Sequence, residues 1–252
     1  YYIVSAGRGV DWFTQAYKLF AKAPVPWILI TLILMAIWGL ALIVNMIIPI
    51  ASLALAVIYP VLAGGLMLGC RELDKGGTLE ISHLFSGFDA DGPRNDLFII
   101  GLFNLLGSFV IGIITMVVIL VLGGGLIAVS SVGGQIESGD IGSGMAMGMI
   151  LLIVLGVLIA LGLSLPLMMA FWFAPALVVL QGKKPVDAIR LSFIGCLKNI
   201  IPFLVYGLVG LGACFIAAIP LMLGFIVLAP IIIASVYTSW KDIYSQPEEE
   251  SP

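Results

Sequence analysis

The chain has 252 residues, of which 62% are apolar and only 10% charged, and its mean hydropathy is +1.22. A soluble domain carries about 25% charged residues, so this composition excludes a globule that covers its own surface in water. Eleven Lys and Arg against fourteen Asp and Glu leave a net charge of −3, with no basic domain of the kind nucleic acid requires.

Taken in chain order, the first element is amphipathic. In 9–22, Val10, Phe13, Tyr17 and Phe20 recur at helical spacing, with Lys18 and Lys22 on or near the polar face. This is the pattern of a helix lying in the headgroup layer. Residues 1–24 contain Asp11, Lys18 and Lys22 and no short apolar core, so no cleavable signal peptide is expected there; the start at Tyr1 without Met leads us to expect residues upstream. Tract 23–70 has no charged side chain and breaks at Asn45 and Pro49, which predicts crossings over 25–46 and 50–70. Residues 71–96 return to water, with Leu79–Phe88 as a surface segment. A third helix is predicted from Asp96 to Gly123, Gly124 and Gly125. A polar loop with Gln135, Glu137 and Asp140 follows, then a fourth helix from Met145 to Leu180. That stretch would be roughly 54 Å long at 1.5 Å per residue. It must tilt, kink at Pro166 or Pro175, or project from the bilayer. In 185–198 a second amphipathic pattern sets Val186, Ile189, Phe193 and Leu197 apart from Asp187, Arg190 and Lys198. Tract 199–240 breaks at Pro220 into 200–218 and 221–240, and 245–252 reads as a disordered acidic tail.

The fold predicted is an all-α polytopic membrane protein: six transmembrane helices as three hairpins, with interfacial amphipathic helices. The continuous Leu/Ile/Val/Gly runs lack the alternation of barrel strands. An eight-crossing alternative fits less well, because 126–136 is too short and too polar to span. All eleven cations fall between the apolar tracts: Arg8, Lys18 and Lys22; Arg71, Lys75 and Arg94; Lys183, Lys184, Arg190 and Lys198; and Lys241. Since basic residues are retained in the cytoplasm, this implies six crossings with both termini inside. A single domain over 1–244 is expected to contain a parallel internal repeat, with units of about 7–75, 79–182 and 185–244. Asp11 and Lys22 match Asp187 and Lys198 at an offset of 176, and Tyr59-Pro60 with Arg71-Glu72 matches Ala229-Pro230 with Lys241-Asp242 at 170.

Chemistry-bearing groups are sparse. The one histidine, His83, lies among Glu80, Asp89, Asp91 and Asp96 at no metal-ligand spacing, and reads as solvated or headgroup-facing. Cys70, Cys196 and Cys214 form no CxxC and read as packing residues. No nucleophile–base set, P-loop or HExxH is present, so no catalytic residue, cofactor or metal is expected. The predicted spans hold no Asp, Glu, Lys, Arg or His, and the polar groups in them are mild, among them Asn104, Ser108, Ser164, Tyr59, Tyr206 and Cys214, whereas proton-coupled carriers keep charged groups there. Pro60, Pro175 and Pro230 fall near mid-membrane, where each removes a backbone donor and favours a kink. The small-xxx-small pairs Gly65/Gly69, Ser108/Gly112, Gly144/Gly148 and Gly156/Ala160 mark close helix contacts, within the chain or between copies.

Four stretches carry a resemblance: Ala6-Gly7-Arg8-Gly9-Val10-Asp11-Trp12, Phe173-Ala174-Pro175-Ala176-Leu177-Val178, Pro185–Asn199, and Tyr237-Thr238-Ser239-Trp240-Lys241-Asp242-Ile243-Tyr244. Through them the chain resembles, over nearly its full length, a family of predicted integral inner-membrane proteins of proteobacteria whose function is uncharacterised. More remotely, the proline-bearing crossings look like the membrane domain attached to some glycerophosphodiester phosphodiesterases. The acidic metal-site residues of that enzyme are missing, so no activity carries over. The resemblance implies a bacterial inner-membrane location and supplies no site residue.

The expected function is non-enzymatic binding of lipid or a protein partner, such as an accessory role in an envelope complex. Anionic headgroups would meet Lys18, Lys22, Arg190 and Lys198. A membrane-protein partner or a homo-oligomer is the other association left open. The alternative is a channel or uncoupled carrier for a small neutral or amphiphilic solute, its path shaped by the three proline kinks.

Overall fold

A computed structural model of the chain describes residues 1–48, 51–133 and 141–245, and the side chains of all of these except 51–52, 125–133 and 141–146. Pro49, the loop with Gln135, Glu137 and Asp140, and the acidic tail from 246 lie outside the described residues. Among those described, every regular element is helical: α1 Arg8–Lys22, α2 Pro24–Ile47, α3 Ala51–Asp74, a 3₁₀ helix Ile81–Phe88, α4 Arg94–Gly133, α5 Ile141–Trp172, α6 Ala174–Gln181, α7 Pro185–Lys198, α8 Ile200–Ala218 and α9 Phe225–Tyr244. Six spans among them are long and apolar enough to cross a bilayer: Pro24–Ile47, Leu53–Asp74, Arg94–Gly124, Met147–Gln181, Ile200–Ala218 and Phe225–Tyr244. A helix closes its own backbone hydrogen bonds, which a hydrocarbon solvent demands.

Two boundaries differ from the sequence reading, and a third decides between its alternatives. Helix α4 does not stop at Gly123–Gly125 but continues to Gly133. A glycine costs about 1 kcal/mol in a helix, less than unpaired peptide groups cost in an apolar medium. The last span begins at Phe225, because 219–224 forms a turn in which Leu221 and Met222 take φ of 51° and 67°. The fourth crossing breaks at Phe173 and not at Pro166, which stays inside α5. Pro175 opens α6, and Gly182 closes it at φ 62°, its N–H and that of Lys183 bonding back to the Val178 and Leu177 carbonyls. Helices α3 and α9 run uninterrupted through buried Pro60 and Pro230.

The chain divides into two compact units, residues 1–104 with 169 onward, and residues 105–168. The first holds the core: Trp12, Trp27, Ile30, Val61, Leu84, Leu97, Ile100, Phe173, Leu177 and Ile243 have essentially no exposed surface. Its helices come close where glycine leaves room. A methyl group at Gly9 would strike the backbone of Pro202 on α8, and one at Gly101 the backbone of Val57 on α3. The Gly65/Gly69 pair seats the 3₁₀ helix at His83 and Leu84, so that pair serves a contact within the chain. In the second unit α4 and α5 run antiparallel, with Leu167 at Gly107, Ile119 at Gly156 and Leu152 at Gly123.

Candidate functional site

The ends of α1, α3, α6 and α9 that carry or border basic residues meet at one place in the first unit, and the polar chemistry of that unit gathers there. Asp242, near the end of α9, is only 7% exposed at its side chain. Its carboxylate accepts from Arg8 Nε at 2.7 Å, Arg8 Nη2 at 2.5 Å and Trp12 Nε1 at 2.9 Å. A planar guanidinium suits this forked geometry. The Asp242 hydrogen bonds and then its charge push the Arg8 guanidinium further above its ordinary value, against the opposing pull of burial. Asp11 adds a looser contact to Arg8 at 3.4 Å. Thr238 Oγ1 donates to the Trp12 carbonyl at 2.9 Å and fixes α1 on α9 a second time.

Asp74 at the end of α3 accepts from Tyr237 Oη at 3.0 Å and from Lys241 Nζ at 2.6 Å. Lys22 donates to the Leu73 carbonyl at 3.3 Å. Gln181 of α6 donates to the Tyr244 carbonyl at 3.1 Å. The first residues are held too. Tyr2 N–H donates to Ile243 O at 2.7 Å, and the fully buried Asn199 accepts from Val4 N–H at 2.9 Å while donating to Tyr2 O at 3.0 Å. The N-terminal segment and the last helix are thus tied together by charge and by backbone bonds.

Beneath this junction lies an aromatic cluster. The Trp12 and Phe203 rings are 5.1 Å apart, Phe13 stacks on Tyr206 at 4.7 Å, and Trp172 meets Phe203 and Tyr206 edge-on. Beside it, fully buried Ser192 on α7 fills the break between α5 and α6. Its Oγ accepts from Phe173 N–H at 2.9 Å and donates to Met169 O at 2.7 Å, standing between two groups that an unbroken helix would join directly. Burial pushes the neighbouring Cys196 thiol up to about 12, partly offset by its hydrogen bond with Ser192.

The amphipathic helices follow the spacing only in part, Phe20 being buried and Phe13 and Ile189 packed against the core while the rest of each buried face consists of other residues. Helix α1 buries Gly9, Trp12, Ala16, Leu19 and Phe20 on protein, and leaves Val10 and Tyr17 exposed. Helix α7 buries the small residues Ala188, Ser192, Gly195 and Cys196, and leaves Val186 and Leu197 exposed. Of the four headgroup candidates, Lys18, Arg190 and Lys198 are exposed and enter no ion pair among the described residues, whereas Lys22 has the Leu73 carbonyl as a partner. His83 is half-buried, and its Nδ1 accepts from Glu80 N–H at 3.0 Å. Among the described residues no three His, Cys, Asp or Glu cluster in a way that could hold a metal ion.

Sequence reasoning missed Asp242, Asp74, Ser192 and Asn199 as structural centres. The signal for the first lay in the Arg8-to-Trp12 and Trp240-to-Asp242 stretches, both rich in groups that seldom sit at a membrane border without partners.

A helical membrane protein with its ionic groups gathered at the basic helix ends is the class this arrangement defines. The chain is similar to a probable inner membrane protein of Burkholderia thailandensis, 26% identical over 270 residues that cover 99% of this chain and 95% of the relative. No family model and no solved structure matches, so the likeness to glycerophosphodiester phosphodiesterase membrane domains finds no support. The six apolar helices and the Burkholderia relative together make this a multi-pass inner-membrane protein.

Proposed function

We propose that this protein binds anionic lipid, or a membrane partner, at its basic face and performs no chemistry of its own. The observation that carries the reading is the pairing, on α1 and α7, of exposed unpaired cations with exposed apolar side chains: Lys18 with Val10 and Tyr17, and Arg190 and Lys198 with Val186 and Leu197. Apolar side chains enter the acyl boundary while cations meet phosphate, each cation contributing roughly 1 kcal/mol near an anionic surface. The basic face is assigned to the cytoplasm, where both termini would lie.

The purified chain should therefore retain phosphatidylglycerol or cardiolipin in preference to phosphatidylethanolamine in native mass spectra. Replacing Lys18, Arg190 and Lys198 together by Gln should abolish that preference, and adding Lys22→Gln should change it little. Liposomes containing the chain should pass no ions. Selective ion flux would overturn the binding reading in favour of the channel, and unchanged lipid retention by the triple variant would overturn the assignment of these residues.

A further inference from the structure

The hairpin of α4 and α5 is longer than a bilayer is thick. Helix α4 has 40 residues, or about 60 Å at 1.5 Å per residue. Even a helix tilted by about 40° uses only about 39 Å, or roughly 26 residues, to cross a 30 Å core. More than ten residues of α4 therefore lie beyond the hydrocarbon, and α5, with 32 residues before its break, must accompany them. Neither 97–136 nor 141–182 contains a charged side chain, so the helices of this extension are apolar apart from serines, with the charges Glu137 and Asp140 standing between them in sequence.

Each helix of the hairpin carries two sets of glycines. Gly107, Gly123 and Gly156 receive Leu167, Leu152 and Ile119 from the other helix, whereas a methyl group at Gly112, Gly124 or Gly162 would meet nothing within 4 Å. A groove of about 450 Å³ runs over Ser108, Gly112, Thr115 and Ala160. The Thr115 hydroxyl is buried there with no hydrogen-bond partner among the described residues. On the same hairpin Leu120, Val121, Leu151, Ile153, Leu158 and Leu161 are each 58–68% exposed.

The hairpin thus offers both unfilled holes and unplaced knobs, the two halves of a self-complementary contact. From Leu97 to Gly133 and from Ile141 to Trp172 its two helices carry no charge with which to select a chemically distinct partner. Among the described residues from Val117 to Leu161, fifteen large apolar side chains are at least 40% exposed. Counted over all sides of both helices they offer on the order of 1,000 Å², against the ~800 Å² per partner of a standard interface. We propose that the α4–α5 hairpin is a self-association element, covered by the same hairpin of a second copy whose aliphatic side chains fill the groove at Gly112 and Thr115.

The test uses the full chain in lipid nanodiscs, with oligomeric state counted by native mass spectrometry. Copper-phenanthroline oxidation of L120C and L158C is run in a Cys214→Ser background, since Cys70 and Cys196 are buried. Both positions should cross-link between copies, whereas L208C on α8, equally exposed to lipid, should not. Gly112→Leu should cut the oligomeric fraction at least tenfold; should that variant fold poorly, Ala160→Leu, which narrows the same groove from the other helix, should reduce it several-fold. A monomer, a monomer with an acyl lipid in the groove, cross-linking at 208 but not at 120 or 158, or indifference to both groove variants would each overturn the proposal.

Discussion

Replacing Arg8 by Ala would leave the Asp242 carboxylate, 7% exposed, with the Trp12 indole as its one remaining donor, since two of its three hydrogen bonds come from Arg8. Removing one member of a fully buried pair costs about 3–5 kcal/mol. The Arg8 side chain is 34% exposed, so water would reach part of the vacated space, and we expect about 2 kcal/mol. Asp242→Ala should cost about as much, because it strands the guanidinium and the Trp12 N–H together. The double variant has no charge left to strand and should fall short of the sum of the single losses by roughly 1.5 kcal/mol. The assay is unfolding in dodecylmaltoside micelles titrated with SDS, repeated at high salt, which should leave this shielded coupling largely intact. Additivity within about 0.5 kcal/mol would refute the view that this pair locks α1 to α9.

Three further tests address the frame. Ser192→Ala removes the hydroxyl between Met169 O and Phe173 N–H and should cost about 1–2 kcal/mol in the same titration; unchanged stability would show that the break closes without it. Gly101→Ala drives a methyl group into the Val57 backbone and should destabilise by about 2 kcal/mol, whereas Gly207→Ala meets open space and should be neutral or better; equal effects would refute the close approach of α3 and α4. The Cys196 thiol, raised from 9.0 to about 12 in the fold, should resist maleimide at pH 8 until the protein unfolds. Because its folded value exceeds its unfolded one, its contribution to stability is complete below pH 9 and is lost as pH rises toward 12, a loss that Cys196→Ala should remove.

The spans were legible because a bilayer imposes a length and a solvent, and long uncharged tracts answer both. Their ends were less legible where glycine or proline was the only marker. Gly123–Gly125 looked like a stop, yet in an apolar medium the helix keeps its hydrogen bonds and continues. Pro166 and Pro175 were equivalent as sequence. What distinguishes them is Ser192, a residue of another helix that supplies the hydroxyl the broken turn needs. Nor does spacing tell a filled glycine from an open one: Gly156 and Gly112 differ only in whether Ile119 arrives from the neighbouring helix.

The site was hidden for a related reason. Helix α1 is apolar on more than one face, with Val10, Phe13 and Tyr17 on one reading and Trp12, Ala16 and Leu19 on another, and periodicity cannot say which face meets protein. The choice is made by Asp242, 234 residues away from Arg8, because a carboxylate at the border of an apolar bundle is tolerable only with donors around it. Arg8 and the Trp12 indole supply those donors from one side of α1, and that requirement turns Trp12, Ala16 and Leu19 inward. Val10 and Tyr17 are left facing out beside Lys18. The face available to lipid is therefore what remains after the buried charge is satisfied, so breaking the Arg8–Asp242 pair should weaken headgroup retention along with stability.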